Sequence, residues 1–593
     1  MKLFSGKELP SYHRISSQTG ANVRRLLYLF HTSTAREKRI FLLLLLVAII
    51  SGITFISRMY RRVTVPVPAV GGVYIEGSIR PPQTINPVYA AVNDTDRDLT
   101  KLIFSQLIRY DGAGYIIPDL LERYEASADQ KTYTAFLRKN AQWHDGIIVN
   151  ADDVIFTITT IQDSRFKSPL RPNWQGVLVE KIDDYTVKFV LPAPYTPFVE
   201  NLAIGIIPKH LWEGVMPEQM LLHELNLKPI GSGPYRFDDL EQEKDGVIRS
   251  FVLKRNGDYY RTGPYIRKIK VLFFKDEETL LHAWKRGDID GFGPAPESAR
   301  GDLGGGISTI HTLHMPRIFG LFMNQKALTA FADPEVRKAI DIAIDRKRIV
   351  EVVTKGGATP TRMPFPLPSF RNRQLASASS SEVTFFAEPE RAKSLLHDAG
   401  WMDNDGDGTF EKTSGKSKNA TTTKLRFIIT TSDWPDLGAA AEEIRKQLRN
   451  IGIDAAIESL PIAELESKVI RPRKYEMLLF GQVYGYEPDP FAFWHSSQVK
   501  DPGLNVALYT NTGADKILDA IRKTTDSDEQ TRQYQSLIAS IKNDTPAIFL
   551  FTQQYLYFLP AAMKGVNLSY IALPSDRFNL IDQWYLKTRR VFK

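Results

Sequence analysis

Ile40 to Ile56 reads IFLLLLLVAIISGITFI, 17 positions without one charged side chain. At 1.5 Å per residue such a helix reaches about 26 Å, in the lower range for crossing a ~30 Å hydrocarbon core. Snorkelling of Arg39 and Arg58 at its ends supplies the missing reach. Two rival readings are a cleaved signal peptide and a buried core helix. A signal peptide normally has a shorter charged region than 39 residues and a small-x-small exit, whereas Ser57-Arg58-Met59-Tyr60 follows here. A core helix near a surface shows a polar face, and this run has only Ser51 and Thr54 to offer. The expectation is therefore a cytoplasmic segment 1–39, a transmembrane anchor 40–57 and a tether 58–71. Basic residues are denser before the span than after it, which orients the N-terminus inwards. The bulk of this single-pass chain is then extracytoplasmic, held in the cell membrane through Ile40–Ile56.

The same clustering explains the formal net charge of +8. Residues 1–39 carry +6, Arg58, Arg61 and Arg62 add +3, and the remaining body sums to −1. A duplex binder needs a dense phosphate-facing patch, and this body has no net excess to supply one, so nucleic acid is not an expected partner. Cysteine is absent, which excludes a disulfide scaffold, thiolate metal sites, a cysteine nucleophile and a lipidated N-terminal cysteine.

Strand and helix signals alternate beyond Gly72. Tyr133–Leu137, Thr186–Leu191 and Lys270–Phe274 read as strands. Pro334–Val353 has apolar residues at helical spacing behind the potential cap Asp333, and Glu388–Ala399 is a second amphipathic helix ended by Gly400. Lys424–Thr430, Leu437–Ile451 and Ile453–Leu460 read as strand, helix and strand, a βαβ unit that predicts α/β architecture with a mainly parallel sheet there. Arg371–Ser381 and Lys412–Thr423 are polar and read as surface loops.

Several blocks over about residues 73–590 resemble, in order, the extracytoplasmic solute-binding proteins of peptide- and nickel-type ABC importers. They are Ile85-Asn86-Pro87, Leu107–Gly112, Pro118–Leu121, Leu137–Gly146 with Ala151–Val154, and Gly231–Tyr235. Arg255–Tyr260, Arg286–Asp290, Val336–Ala339 with Ile344–Arg346, Ala399–Trp401 and Pro488–Pro490 continue the series. Each also has a local physical role: Asp145-Gly146 is a hairpin dipeptide, and Asp152 and Asp153 suit a helix start. The resemblance implies a two-lobed periplasmic-binding-protein-like clamp. Lobe I takes 72–316 and 552–593, with a subdomain inserted at about 110–228, and lobe II takes 317–551. The crossings are Arg317–Asn324 and Ala547–Thr552. Solute is held between the lobes by hinge closure.

By the same resemblance, ligand-binding positions fall at Phe319, Trp434, Tyr484, Gly485, Tyr486 and Glu487. Peptide-binding members often carry an aspartate shortly before the Asp489-Pro490 motif to pair with a peptide α-amino group. Here Gly485 or Tyr486 stands at that place, with Glu487 as a possible substitute. Trp434, Tyr484 and Tyr486 offer stacking faces with polar tips, or are aromatics of core and rim.

Three sharper readings compete with this one. Asp403-Asn404-Asp405-Gly406-Asp407-Gly408 matches the first half of a calcium loop, but its twelfth position is Ser414 where a bidentate glutamate belongs. A solvated turn is the expectation, with no metal and no cofactor. His144 and Asp145 are adjacent on an extended stretch, so they point to opposite faces and form no catalytic pair. Gly304-Gly305-Gly306 lacks the Lys-Ser/Thr of a phosphate loop. The reading is a non-enzymatic solute receptor that delivers peptides or a related small solute to ABC permease subunits. The alternative is a tethered receptor with a signalling or scaffold role.

Overall fold

The apolar run lies inside one helix, Ala35–Val63, of 29 residues. Thr34 caps it, accepting the Glu37 N–H while the Glu37 carboxylate takes the Thr34 N–H at 2.7 Å. By length and composition the helix suffices to cross a membrane, and none of its residues is buried. It outruns the predicted span: Arg58–Val63 are helical, and Thr64–Ala69, expected as a tether, is a strand paired with Lys587–Phe592. Arg590 fastens that pairing, donating to Thr64 Oγ1 at 2.8 Å. The computed structural model describes residues 32, 34–90, 93–302, 308–366, 385–414 and 421–593. It divides into Met1–Ala69 with Thr588–Lys593, and Val70–Lys587.

The second unit is built on one 11-stranded sheet. Its centre is a ribbon of two long antiparallel strands, Ser308–Met323 and Ala547–Pro560. Toward one edge follow Met477–Val483, Arg426–Ser432 and Asp454–Leu460; toward the other, Gly291–Phe292, Val73–Ile79, Lys268–Phe274, Ile248–Arg255 and Tyr235–Gln242. The ribbon's register shifts between His314 and Ile318, where Pro316, which has no N–H for the ladder, stands. Pairing resumes at Ile318↔Thr552.

The packed cores change over at the same place. One cluster gathers residues from Tyr74 to Met315 and from Tyr555 to Trp584. Two others gather residues from Phe319 to Phe551 and from Ile318 to Phe549. The chain is thus an α/β, two-lobed protein, and each lobe buries its own apolar set. A four-stranded antiparallel sheet of Leu121–Ala126, Thr132–Leu137, Thr186–Val190 and Leu178–Asp183 is inserted in the first lobe beside the helix Ala151–Gln162. Asn150 and Asp153 form that helix's capping box, and Trp143 donates to Asp153 at 3.2 Å, so two of the quoted blocks are ends of one contact.

The βαβ unit is present as Arg426–Ser432, Pro435–Arg449 and Asp454–Leu460, with its strands parallel. Met477–Val483 also pairs parallel with Arg426–Ser432, so the sheet is parallel in this region as expected and turns antiparallel where Met477–Val483 meets the ribbon. The predicted helix over Pro334–Val353 is two helices, Pro334–Ala343 and Arg346–Thr354. The break at Ile344 and Asp345 turns the Arg346 guanidinium inwards, where it is fully buried and donates to the Phe549 carbonyl at 2.6 Å; Asp345 caps the second helix. Lys412–Thr423 contributes to a hairpin, Glu411–Ser414 against Thr421–Lys424, rather than only a loop. Gly304-Gly305-Gly306 and Arg371–Ser381 lie outside the described residues.

Candidate functional site

Past the ribbon, the strand Met477–Val483 leads into Tyr484–Glu487, which lies against the other lobe. The Tyr484 N–H donates to the Pro316 carbonyl at 2.8 Å, so the turn hangs from the register shift itself. Tyr484 stays in its own lobe's core, taking the Trp494 indole N–H at 3.3 Å. Tyr486 points the other way. Its ring stacks on Tyr110 with centroids 3.6 Å apart, packs against Tyr570 at 5.7 Å, and its hydroxyl accepts from Asn579 at 3.3 Å.

Between these residues lies a cavity of about 340 Å³, within the range of small-ligand pockets. Phe104, Leu170, Trp174 and Ala203 give it apolar walls; Lys101, Gln106, Glu200 and Asp576 give it polar ones; Tyr484, Gly485 and Tyr486 close it from the second lobe. Lys101 is paired with Asp576 at 3.1 Å and donates to Gln106 at 2.8 Å. A second cavity of about 370 Å³ lies along the ribbon, lined among others by His314, Met315, Thr361, Phe365, Thr552 and Tyr570. The buried Tyr570 hydroxyl has no hydrogen-bond partner among the described residues, which leaves it a polar handle for a solute.

Glu200 joins the lobes most directly. Its carboxylate accepts the Glu487 N–H, and an added Cβ at Gly485 would lie 2.3 Å from Glu200 Oε2. Burial pushes the Glu200 pKa up to about 8; the Glu487 N–H opposes this, and the Glu487, Asp489 and Asp576 carboxylates add to it. A few residues earlier, the Thr196 hydroxyl donates to the Arg522 carbonyl at 2.7 Å, and the Arg522 guanidinium lies 5.3 Å over the Tyr195 ring while pairing with Asp489.

If parting of the lobes returns Glu200 to water and its ordinary value near 4.5, the arrangement seen here binds the proton more tightly. Closure is then favoured fully below about 4.5, and this contribution is lost as pH rises to about 8. Solute affinity measured calorimetrically is expected to weaken across that window. Glu200→Gln, which keeps an oxygen for the Glu487 N–H, is expected to flatten the profile; an unchanged slope would remove Glu200 from closure.

Of the positions expected from sequence, Tyr484, Gly485 and Tyr486 line the first cavity and Glu487 touches its wall through Glu200. Phe319 and Trp434 line neither cavity. They pack on one another at 5.9 Å, with Phe319 stacked on Phe551 and Trp434 40% exposed. Glu200, Lys101 and Asp576 were not anticipated, since they fall in no quoted block; Tyr110 lay inside one. His144 and Asp145 do part ways. His144 is half-buried between Gly231 and Gly233, its pKa lowered to about 4 by desolvation, while Asp145 pairs with His210 at 2.8 Å.

Two lobes on a shared ribbon, with a cavity where they meet, define a solute-binding protein. The chain belongs to the family described as bacterial extracellular solute-binding proteins, family 5 Middle, whose model matches residues 115–503. It is 27% identical over 526 residues to the oligopeptide-binding protein AppA of Bacillus subtilis (strain 168), spanning 88% of this chain and 92% of that one. The structure of that AppA in complex with a nonapeptide superposes with a TM-score of 0.65 at 26% identity, over 88% of this chain and 100% of the other. The substrate-binding protein CtaP of Listeria monocytogenes shares the fold, with a TM-score of 0.72 at 24% identity, over 87% and 99%.

Proposed function

We propose that this chain is a membrane-anchored extracytoplasmic receptor that captures a peptide or related small solute between its lobes and delivers it to an ABC permease, with no covalent step. The lobes are taken as 72–316 with 552–593, and 317–551, and the anchor as the helix through Ile40–Ile56. One observation carries the reading: Tyr486, projecting from the second lobe, stacks on Tyr110 of the first at the mouth of a cavity that both lobes line. Closure would bring these surfaces together around a solute and present the permease with a shape that the open form lacks. The likeness to an oligopeptide-binding protein whose structure is in complex with a nonapeptide supports an oligopeptide as the solute class. The basic residues before the apolar run and its unburied helix support the anchor.

The test is uptake. Cells lacking the chain are expected to lose import of a labelled peptide mixture and to regain it with the full chain. A chain carrying Tyr486→Ala should restore membrane-bound protein but not import. Peptide import indifferent to the chain's presence would overturn the reading.

A further inference from the structure

The loop after Trp401 belongs to neither cavity. Asp403, Asp405 and Glu411 bring carboxylate oxygens within 4.8 Å of one another, and Asp407 lies between them in sequence. Asp403 and Asp405 are exposed, but Glu411 is only 4% exposed. Its Oε1 takes the Asn404 N–H at 2.8 Å, while its Oε2 is shut away from solvent with no hydrogen-bond partner among the described residues. A buried carboxylate oxygen without a donor is costly, and among exposed acids it lacks the neighbour that would justify it.

We propose that Asp403, Asp405, Asp407 and Glu411 form a binding site for a hard divalent cation of the calcium type. Hard cations take six to eight oxygens, and sites built from Asp/Glu loops supply them from alternate positions. With Asp403 as the first position, Asp405 and Asp407 are the third and fifth, Gly408 the sixth, and Glu411 the ninth. The bidentate acid missing at Ser414 is thus made up from nearer in the loop. Glu411 is held from behind: its N–H and carbonyl pair with Met402 at 2.8 and 3.1 Å.

Lys424 is the competitor. It stands opposite Glu411 in the hairpin register, and its ammonium bridges Asp405 at 2.7 Å and Asp407 at 2.5 Å. The Lys424 side chain is about one-third exposed, so it has water to turn into when a divalent ion displaces it. The site therefore exchanges one lysine for one metal, with Glu411 gaining the partner that lysine does not give it.

Calorimetric titration of the full chain in detergent with calcium chloride tests this. One ion per chain is expected, in the range of about 10⁻⁴–10⁻³ M typical of extracellular modules, with magnesium weaker. Asp405→Asn should weaken binding at least tenfold, and Glu411→Gln should abolish it. Lys424→Met should tighten it by roughly five- to tenfold, the size expected for removing one competing exposed charge. Should Glu411→Gln fail to fold, the exposed Asp405 carries the test alone. No calcium heat and no thermal shift in both the wild-type chain and Lys424→Met, up to about 10 mM, would overturn the proposal, as would binding that survives Asp405→Asn.

Discussion

Replacing Tyr486 by alanine is expected to lower solute affinity by between roughly a hundred- and a few thousand-fold while the protein still folds. Truncating a buried aromatic costs about 3–5 kcal/mol, and here the lost contacts are those that join the lobes. The ring meets Tyr110 and Tyr570 across the cleft and takes a hydrogen bond from Asn579. On the proposed hinge closure those contacts form only as the lobes meet, so the penalty is expected to fall on the closed, loaded form rather than on the fold. Tyr486→Phe keeps the stack and loses the hydroxyl's bonds to Asn579, Asp576 and the Ala572 backbone, each worth about 1 kcal/mol, so its loss of affinity is expected to be smaller than that of Tyr486→Ala. Titration calorimetry with peptides, beside thermal melts of the solute-free variants, reads both quantities. Wild-type affinity in Tyr486→Ala would place the solute elsewhere.

The largest loss of stability is expected from Arg577→Leu, at about 3–5 kcal/mol near neutral pH. Arg577 is fully buried beside Glu76 at 2.9 Å and Asp98 at 2.5 Å, with its guanidinium 4.2 Å from the Phe578 ring centroid. The hydroxyls of Tyr74 and Tyr557 also bind Glu76. Removing the cation leaves two carboxylates in a site that cannot hydrate them. Burial already lifts Asp98 to about 6 against the opposing pull of Arg577, and without that pull it rises further. A raised carboxyl pKa disfavours the folded form as pH climbs through it, so the variant's deficit should shrink toward pH 5. Urea unfolding at the two pH values measures this. A triple variant with Glu76→Gln and Asp98→Asn should recover part of the loss. Asp576, the preceding residue, lines the first cavity, so the network adjoins its wall.

Much of the architecture was legible because it is written in local chemistry. The apolar run without charge, the Asp333 cap and the βαβ unit each follow from periodicity and end signals. The split at Ile344 was not legible, since the periodicity carries straight through it; what breaks the helix is the burial of Arg346 against Phe549, over 200 positions away. The site divides in the same way. Tyr484, Gly485 and Tyr486, placed from the nearby Asp489-Pro490 block, line the first of the two cavities described, whereas Phe319 and Trp434 pack on each other and line neither. Glu200 gave no signal at all. It acquires its role only through Gly485 and the Glu487 N–H from another lobe, and sequence spacing carries no record of such a meeting.

The shift of register at Pro316 has a mechanical consequence. Both passages between the halves belong to a single ladder, paired on either side of a short interruption. Sliding one half past the other would tear many rungs, whereas flexing at the gap tears none. On the proposed reading the halves would therefore swing about one axis rather than drift sideways, and Tyr486 would return to the same berth on Tyr110 each time.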